Sequence, residues 1–292
     1  QPPVATPTGT FAMLAHVMPD KFHIGSSILA NLEQEIRHQG YALSIHILTD
    51  MDIKNMNLPN NFDTKNIDAV ICIELFDRDY SQMICDLGKP ILFTDTFYNY
   101  AYHELKADIL MMENRNSMRI MIGETIEKYN LKKIGFIGSI RHCLSFYERW
   151  QGYCDALNEK NFLIDESLCI IDDDDNLFWN SSWMEKKLST MKLPELFVCA
   201  NDSLALNLIS ILKRINVSVP KDILVCGFDD MPEARLSEPR LTTVHIPSNS
   251  MGVVAAQRLL SRISNPTLPF VTTYVHTKVK FRSSTDRKSI TQ

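Results

Sequence analysis

The sequence predicts an α/β protein made of two doubly wound subdomains, each a parallel sheet with helices on both faces. Three observations carry this expectation. Short apolar runs rich in Val, Ile, Leu and Phe alternate with helix-like segments along almost the whole chain, the pattern of strands buried on both faces of a parallel sheet. Two of these runs, residues 196–200 and 223–228, end in acidic or amide side chains. A chain of 292 residues is also long enough to build two cores.

The elements follow in order. "QPPVATPT" is too rich in Pro and Thr for a regular element and reads as an extended lead-in, with residues 1–9 as a linker. "TFAMLAHV" reads as a strand. "SSILANLEQEIRHQG" reads as a helix with Ile28, Leu29, Leu32 and Ile36 on one face and Gly40 at its stop. "YALSIHIL", "IDAVICI" and "PILFTD" supply further strands, with a helix over residues 78–87.

By alternation a second set begins near "ADILMM". It runs through the helix "NSMRIMIGETIEKYN", the strand "KIGFIG", the helix "YERWQGYCDALNEK", the strand "SLCII" and a helix near "WMEKKLSTM". The strand "LFVCA", a helix carrying Leu204, Leu208, Ile211, Leu212 and Ile215, and the strand "ILVCGF" complete it. After Asp230 come a loop, "LTTVHIP", an amphipathic helix over residues 250–263, and the β-rich runs "FVTTYV" and "TKVKF".

Composition narrows the function. With 45% hydrophobic and 22% charged residues the chain has globular usage, not that of disorder. Its apolar runs are too short and too broken by charge to span a membrane. A net charge of −5 argues against strong nucleic-acid binding by these residues, because neutralising phosphates takes clustered Lys and Arg. The chain opens at Gln1 without a methionine, which points to a trimmed or processed product.

The seven cysteines (Cys72, Cys85, Cys143, Cys154, Cys169, Cys199 and Cys226) form no Cys-x-x-Cys pair, and several lie inside apolar runs. Buried, reduced thiols of a cytoplasmic protein are expected in preference to disulfides or zinc. The aspartates 172–175 lack the glycine turn and spaced glutamate of a calcium loop, so a solvated acidic loop is expected. The scattered histidines offer no metal pair, and no cofactor, metal, phosphate loop or nucleophile motif is expected.

In open parallel sheets, ligands bind outside the carboxyl ends of the strands. Asp95 follows "PILFT", Asn201 and Asp202 follow "LFVCA", and Asp229 and Asp230 follow "ILVCGF". These side chains are expected to line a cleft.

The run "CANDSLALNLISILKRINVSVPKDILVCGFDDMPEARLSEPRLTTVHIPSNSMGVVAAQRLLSRI" closely resembles the lactose-repressor/galactose-repressor (LacI/GalR) family of bacterial transcription regulators. The likeness lies in an ordered string: Asn-Asp at a strand end, Val-Pro-x-Asp-Ile, Gly-Phe-Asp-Asp, Pro-x-Leu-Thr-Thr-Val and Gly-x-x-Ala. "SFYERWQGYCDAL", "KPILFTD", "LKKIGFIG", "EIRHQGYAL" and "VHTKVKFRSST" extend it over almost the whole chain. The chain departs from the family pattern at Glu113-Asn114-x-x-Ser117, at Asn130-Leu131 in place of Gly-His, and at Asn207 in place of Gly. Those changes bear on subdomain packing more than on the cleft.

The resemblance implies a periplasmic-binding-protein-like core whose two α/β subdomains are joined by three crossovers, with the ligand between them. Mapped here, residues 10–111 with 246–273 form the first subdomain, and 112–245 with 275–292 the second. Arg149 matches the family's sugar-contacting arginine, and Ser145 lies one helical turn before it. Asn201 and Asp229 match two cleft positions. The alternative for Asn201 is a helix cap, a role expected to fall to Asp202 and so leave Asn201 for the ligand, and Asp230 alternates away toward a structural role.

Asp95 and Ser26 are the candidates of the first subdomain, Ser26 being equally a helix cap. Phe22, Phe178 and Trp179 are aromatic faces that could stack on a sugar ring or plug the core. The function implied is effector sensing. A sugar or related small molecule closes the cleft of a homodimer, changing operator binding by a helix-turn-helix domain that would precede Gln1. An exported sugar-binding protein of a transport system is the alternative. A hydrolase using Asp95 with Asp229 ranks last, because nothing in the sequence gives those carboxylates an acid/base environment.

Overall fold

The computed structural model describes residues 8–18, 24–102, 105–172 and 175–287. The chain forms two compact units, Gln1–Met112 with Pro247–Val275 and Glu113–Ile246 with His276–Gln292, and so passes between them three times. Strands and helices are numbered in chain order.

The first unit is a six-stranded sheet in the order β10-β5-β4-β3-β1-β2. Its members are β1 (Gly9–Ala15), β2 (Tyr41–Ile47), β3 (Ala69–Ile73), β4 (Ile91–Thr94), β5 (Asp108–Met112) and β10 (Thr272–Val275), all parallel. The central strands β3, β4 and β5 are buried at every residue, which is why they read as unbroken apolar runs. Edge strand β2 leaves Ile45 and Ile47 exposed. "ADILMM" therefore belongs to the first sheet and does not open the second: β5 pairs with β4, and Asp108 receives a bidentate ion pair from buried Arg262.

Helices α1 (Ile24–His38), α2 (Asp50–Lys54), α3 (Arg78–Cys85) and α9 (Ser248–Ser264) cover this sheet. The stripe Ile28, Leu29, Leu32 and Ile36 of α1 is buried, and Gly40 takes φ +85° just past the helix, where a side chain would be strained. The short helix α2 was not anticipated. It is held by a capping box in which Thr49 and Asp52 bond each other's backbone. Of the lead-in, Thr8 and Gly9 are described: Gly9 already belongs to β1, and the Thr8 amide donates to the Gly40 carbonyl at 2.7 Å.

The second unit has a three-stranded parallel sheet, β6 (Ile134–Ile137), β7 (Leu196–Cys199) and β8 (Leu224–Cys226), and an antiparallel ribbon of β9 (Thr243–His245) with β11 (Lys278–Lys280). Single parallel bridges, Cys226 to Thr242 and Asp229 to His245, tie the ribbon to β8. Helices α4 (Arg115–Tyr129), α5 (Leu144–Glu159), α6 (Ser181–Thr190), α7 (Asp202–Arg214) and α8 (Pro232–Leu236) complete it. The expected strand "SLCII" is instead a 3-10 turn, Glu166–Leu168, followed by one bridge from Ile170 to Ile137. Asp165 caps the turn by accepting from the Ser167 amide at 3.0 Å, a local bond that competes with the ladder.

Each departure from the LacI/GalR pattern makes a bond within this unit. Glu113 accepts from the Ser117 amide at 2.9 Å and so caps α4. The Ser117 hydroxyl meets that of Thr277 at 2.7 Å, joining α4 to the segment before β11. Asn130 ends α4 in the left-handed region at φ 50°, a conformation asparagine tolerates nearly as glycine does. Asn207 donates to the Phe178 carbonyl at 2.9 Å.

Two glycines set how closely helices approach. A Cβ on Gly252 of α9 would lie 2.4 Å from the Ile28 carbonyl oxygen of α1, and one on Gly152 of α5 would lie 2.3 Å from that of Arg115. Gly123 of α4, by contrast, has nothing within 4 Å of its added carbon. Gly252→Val should therefore destabilise the protein by on the order of 2 kcal/mol through overpacking. Gly123→Ala should stabilise it by about 0.5–1 kcal/mol. Opposite shifts of the urea midpoint are the expected result.

Candidate ligand-binding site

The polar groups at the strand ends of the second unit converge on Arg149. This side chain, on α5, is only 2% exposed, and a guanidinium taken out of water is tolerated only when its charge and donors are met. Its Nε donates to Asn114 Oδ1 at 3.0 Å and its Nη1 to the Ala200 carbonyl at 2.8 Å. The same Nη1 lies 3.3 Å from Asp229 Oδ1. The flat cation sits on the Phe228 ring, 3.8 Å from its centroid. Asn114 is oriented in turn by donating to Glu148 at 2.8 Å.

The partners stand at the ends of three different elements. Asn114 precedes α4, Ala200 follows β7, and Phe228 and Asp229 follow β8. Asp229 has φ 119° and Asp230 φ 57°, a strained turn that holds the Asp229 carboxylate toward Arg149. Ser145, one turn before Arg149, is buried with its hydroxyl 3.2 Å from Cys143 Sγ. The arrangement leaves Nη2 as a fixed donor near the Asp229 carboxylate acceptor, the complement of neighbouring hydroxyls.

Asn201 is the N-cap of α7: its Oδ1 accepts from the Leu204 amide at 2.9 Å. Asp202 does not share that role. It is fully buried, accepting from the Thr243 hydroxyl at 2.6 Å and the Met231 amide at 2.9 Å. Burial, and then the neighbouring Asp229 charge, push its carboxyl well above 3.8 against those two bonds.

Asp230 is the structural residue expected of it. Its buried carboxylate accepts from Arg235, Arg282 and His245, binding α8, β9 and the chain after β11 together. Burial alone would raise it, but the two arginines outweigh burial and hold it below 3.8. Phe178 is 2% exposed, edge-on to Trp183, and fills the core, whereas Trp179 is 56% exposed.

In the first unit, Asp95 follows β4 with φ 62°, is buried, and accepts from the Thr96 amide at 2.8 Å. The neighbouring Thr96 hydroxyl is buried with no hydrogen-bond partner among the described residues. Ser26 lies half-buried in the first turn of α1. Phe22 falls outside the described residues. None of the seven cysteines forms a disulfide, and desolvation raises the thiols of Cys72, Cys199 and Cys226, leaving those three inert. Among the described residues no group of three or more His, Cys, Asp or Glu side chains could hold a metal ion.

Asn114 and Phe228 are the contributors that sequence reasoning passed over. Asn114 carried a signal as a polar residue just after the "ADILMM" strand. Phe228 carried none, since it reads as the last apolar residue of its strand.

Polar groups at the carboxyl ends of parallel strands, with a buried arginine between them, define the class: a two-unit α/β ligand-binding core. The pattern of the periplasmic binding protein-like domain matches residues 127–285, over half the chain. The HTH-type transcriptional repressor PurR of Actinobacillus pleuropneumoniae serotype 3 (strain JL03) is 27% identical over 241 residues, 82% of this chain and 69% of that repressor. Two solved structures share the fold. The transcriptional regulator CelR-cellobiose complex has a TM-score of 0.78 at 20% identity, over 95% of this chain and 85% of that one. A LacI family transcriptional regulator from Enterococcus faecium with bound ribose has a TM-score of 0.74 at 17% identity, over 94% of this chain and 98% of that one. The chain belongs to the periplasmic binding protein-like family, as a ligand-binding core of the LacI/GalR type of transcriptional regulator.

The Asp230 pairing makes a pH prediction. A carboxyl held below its unfolded value stabilises the fold above about pH 4, and that contribution fades as pH falls through the folded value. Asp230→Asn should cost about 1–3 kcal/mol at pH 6, with the gap to the native chain closing below pH 3.8. Thermal denaturation of both proteins from pH 6 to pH 2.5 checks it.

Proposed function

We propose that the effector of this core is an uncharged, polyhydroxylated small molecule, a sugar or a close relative, bound at the carboxyl ends of its parallel strands. The observation that carries the reading is the Arg149 constellation. Guanidinium and Asp229 carboxylate cancel in charge yet present donors and acceptors side by side, which suits adjacent hydroxyls better than a fully ionised ligand. The cellobiose and ribose bound by two proteins of the same fold support the same class. Ser145, Asn201, Asp95, Ser26, Phe22 and Trp179 complete the proposed ligand set, while Phe178 stays in the core.

In this reading the protein binds without turning its ligand over. Closure around the effector draws the strand ends together, respaces two DNA-binding heads carried before Gln1, and changes operator affinity through that geometry. The working species is a cytoplasmic homodimer. Ile45 and Ile47, 44% and 39% exposed on edge strand β2, and Met51, 60% exposed just beyond it, support self-association. Among the described residues no helix is long and apolar enough to cross a membrane.

The test is thermal denaturation against neutral pentoses, hexoses and disaccharides. A hit at 100 times its Kd should stabilise the native chain by about 2.7 kcal/mol. Asp229→Asn and Arg149→Lys, each checked for native circular dichroism, should weaken that hit roughly tenfold to a hundredfold, the worth of a charge-assisted hydrogen bond. Unchanged affinity in both variants overturns the site, and product formed from the bound sugar overturns the reading of a sensor. Sedimentation should give a dimer that Ile45→Lys converts to a monomer.

A further inference from the structure

We propose that the second unit carries another ligand site, specific for a phosphate group, in the recess lined by Arg235, His245, Lys280 and Arg282 around Asp230. It is separate from the Arg149 constellation and does not rest on the sugar reading. The recess has a volume of about 390 Å³, enough for a small phosphorylated molecule.

The case is one of unbalanced charge. The buried Asp230 carboxylate has both oxygens filled. Oδ1 accepts from Arg235 Nε at 3.2 Å and from Arg282 Nη2, and Oδ2 accepts from Arg235 Nη2 at 2.8 Å and from His245 Nδ1 at 3.0 Å. Those four bonds use about all the lone pairs a carboxylate offers. Against this single negative charge stand Arg235, Lys280 and Arg282, three fixed positive charges, so the recess keeps an excess of two.

The excess is accessible. The Arg235 and His245 side chains are 52% and 40% exposed, and the Lys280 ammonium has no hydrogen-bond or ion-pair partner among the described residues. A concave surface of one sign focuses the field on counter-charge. A phosphate dianion matches the excess, and its several oxygens can take the ammonium and the outer guanidinium edge together. Asp230 meanwhile fixes both Arg235 and Arg282, so the cations are arranged before any ligand arrives. The recess also borders β9 and β11, the strands next to the second and third passages between units.

Isothermal titration at constant ionic strength, with inorganic phosphate, glucose 6-phosphate and glucose as probes, tests the proposal. Saturable binding of both phosphates is expected. Lys280→Gln should weaken it at least tenfold, Arg235→Gln should do likewise, and Lys278→Gln, an exposed lysine on the same strand outside the recess, should leave it unchanged. The Lys280 side chain bonds no other described residue, and Lys280→Gln keeps the backbone pairing of β11 with β9, so the fold should stay intact, and an unchanged melting temperature verifies this. The proposal is overturned if inorganic phosphate does not saturate or if Lys280→Gln binds it as the native chain does. It is equally overturned if glucose competes with glucose 6-phosphate, which would place that ligand at the strand-end site.

Discussion

The second unit is organised around the burial of one positive charge. A guanidinium at the Arg149 position can stay dehydrated only if something answers its charge, its donors and its face. Separate segments of the chain meet these needs. Asn114 comes from the start of α4, the Ala200 carbonyl from the end of β7, and the Phe228 ring and Asp229 carboxylate from the end of β8. None is a neighbour of Arg149 in sequence. Satisfying the charge thus fixes three element ends relative to α5, and a rigid polar surface is the by-product.

Around that centre the acidic residues divide by environment. Asp229 faces the guanidinium, Asp230 collects two arginines and a histidine, and Asp202 is sealed beneath with a hydroxyl and an amide. Three carboxylates close in space have different duties because one neighbours a buried cation, one an exposed cationic cluster, and one no cation within bonding reach. The opposite shifts of Asp202 and Asp230 express this difference.

Much of the fold was legible because parallel strands buried on both faces announce themselves as unbroken apolar runs, and "IDAVICI", "LFVCA" and "ILVCGF" all became strands. Reading failed where a local bond decides conformation. Asp165 turns "SLCII" into a 3-10 turn, and the Thr49–Asp52 box makes a helix of five residues. Alternation also misplaced β5, since it orders elements along the chain but does not say which sheet they join, whereas the family resemblance puts residues 10–111 in one subdomain. Within the constellation, Arg149 is singled out by the family resemblance alone, and Asp229 also by its place after a strand. Asn201 proved to be a helix cap through its Oδ1, and the face of Phe228 cannot be told from an ordinary core ring by sequence.

Strands β3, β4 and β8 are each followed closely by a residue with positive φ: Glu74, Asp95 and Asp229. Beta-branched and bulky apolar residues tolerate that backbone badly, whereas glycine, asparagine and aspartate tolerate it best. The turn geometry thus narrows the alphabet at these rim positions to side chains that are tiny or hydrogen-bonding. Drift toward greasy substitutions is resisted by the main chain itself, so the rim stays hydrophilic whatever molecule it comes to hold.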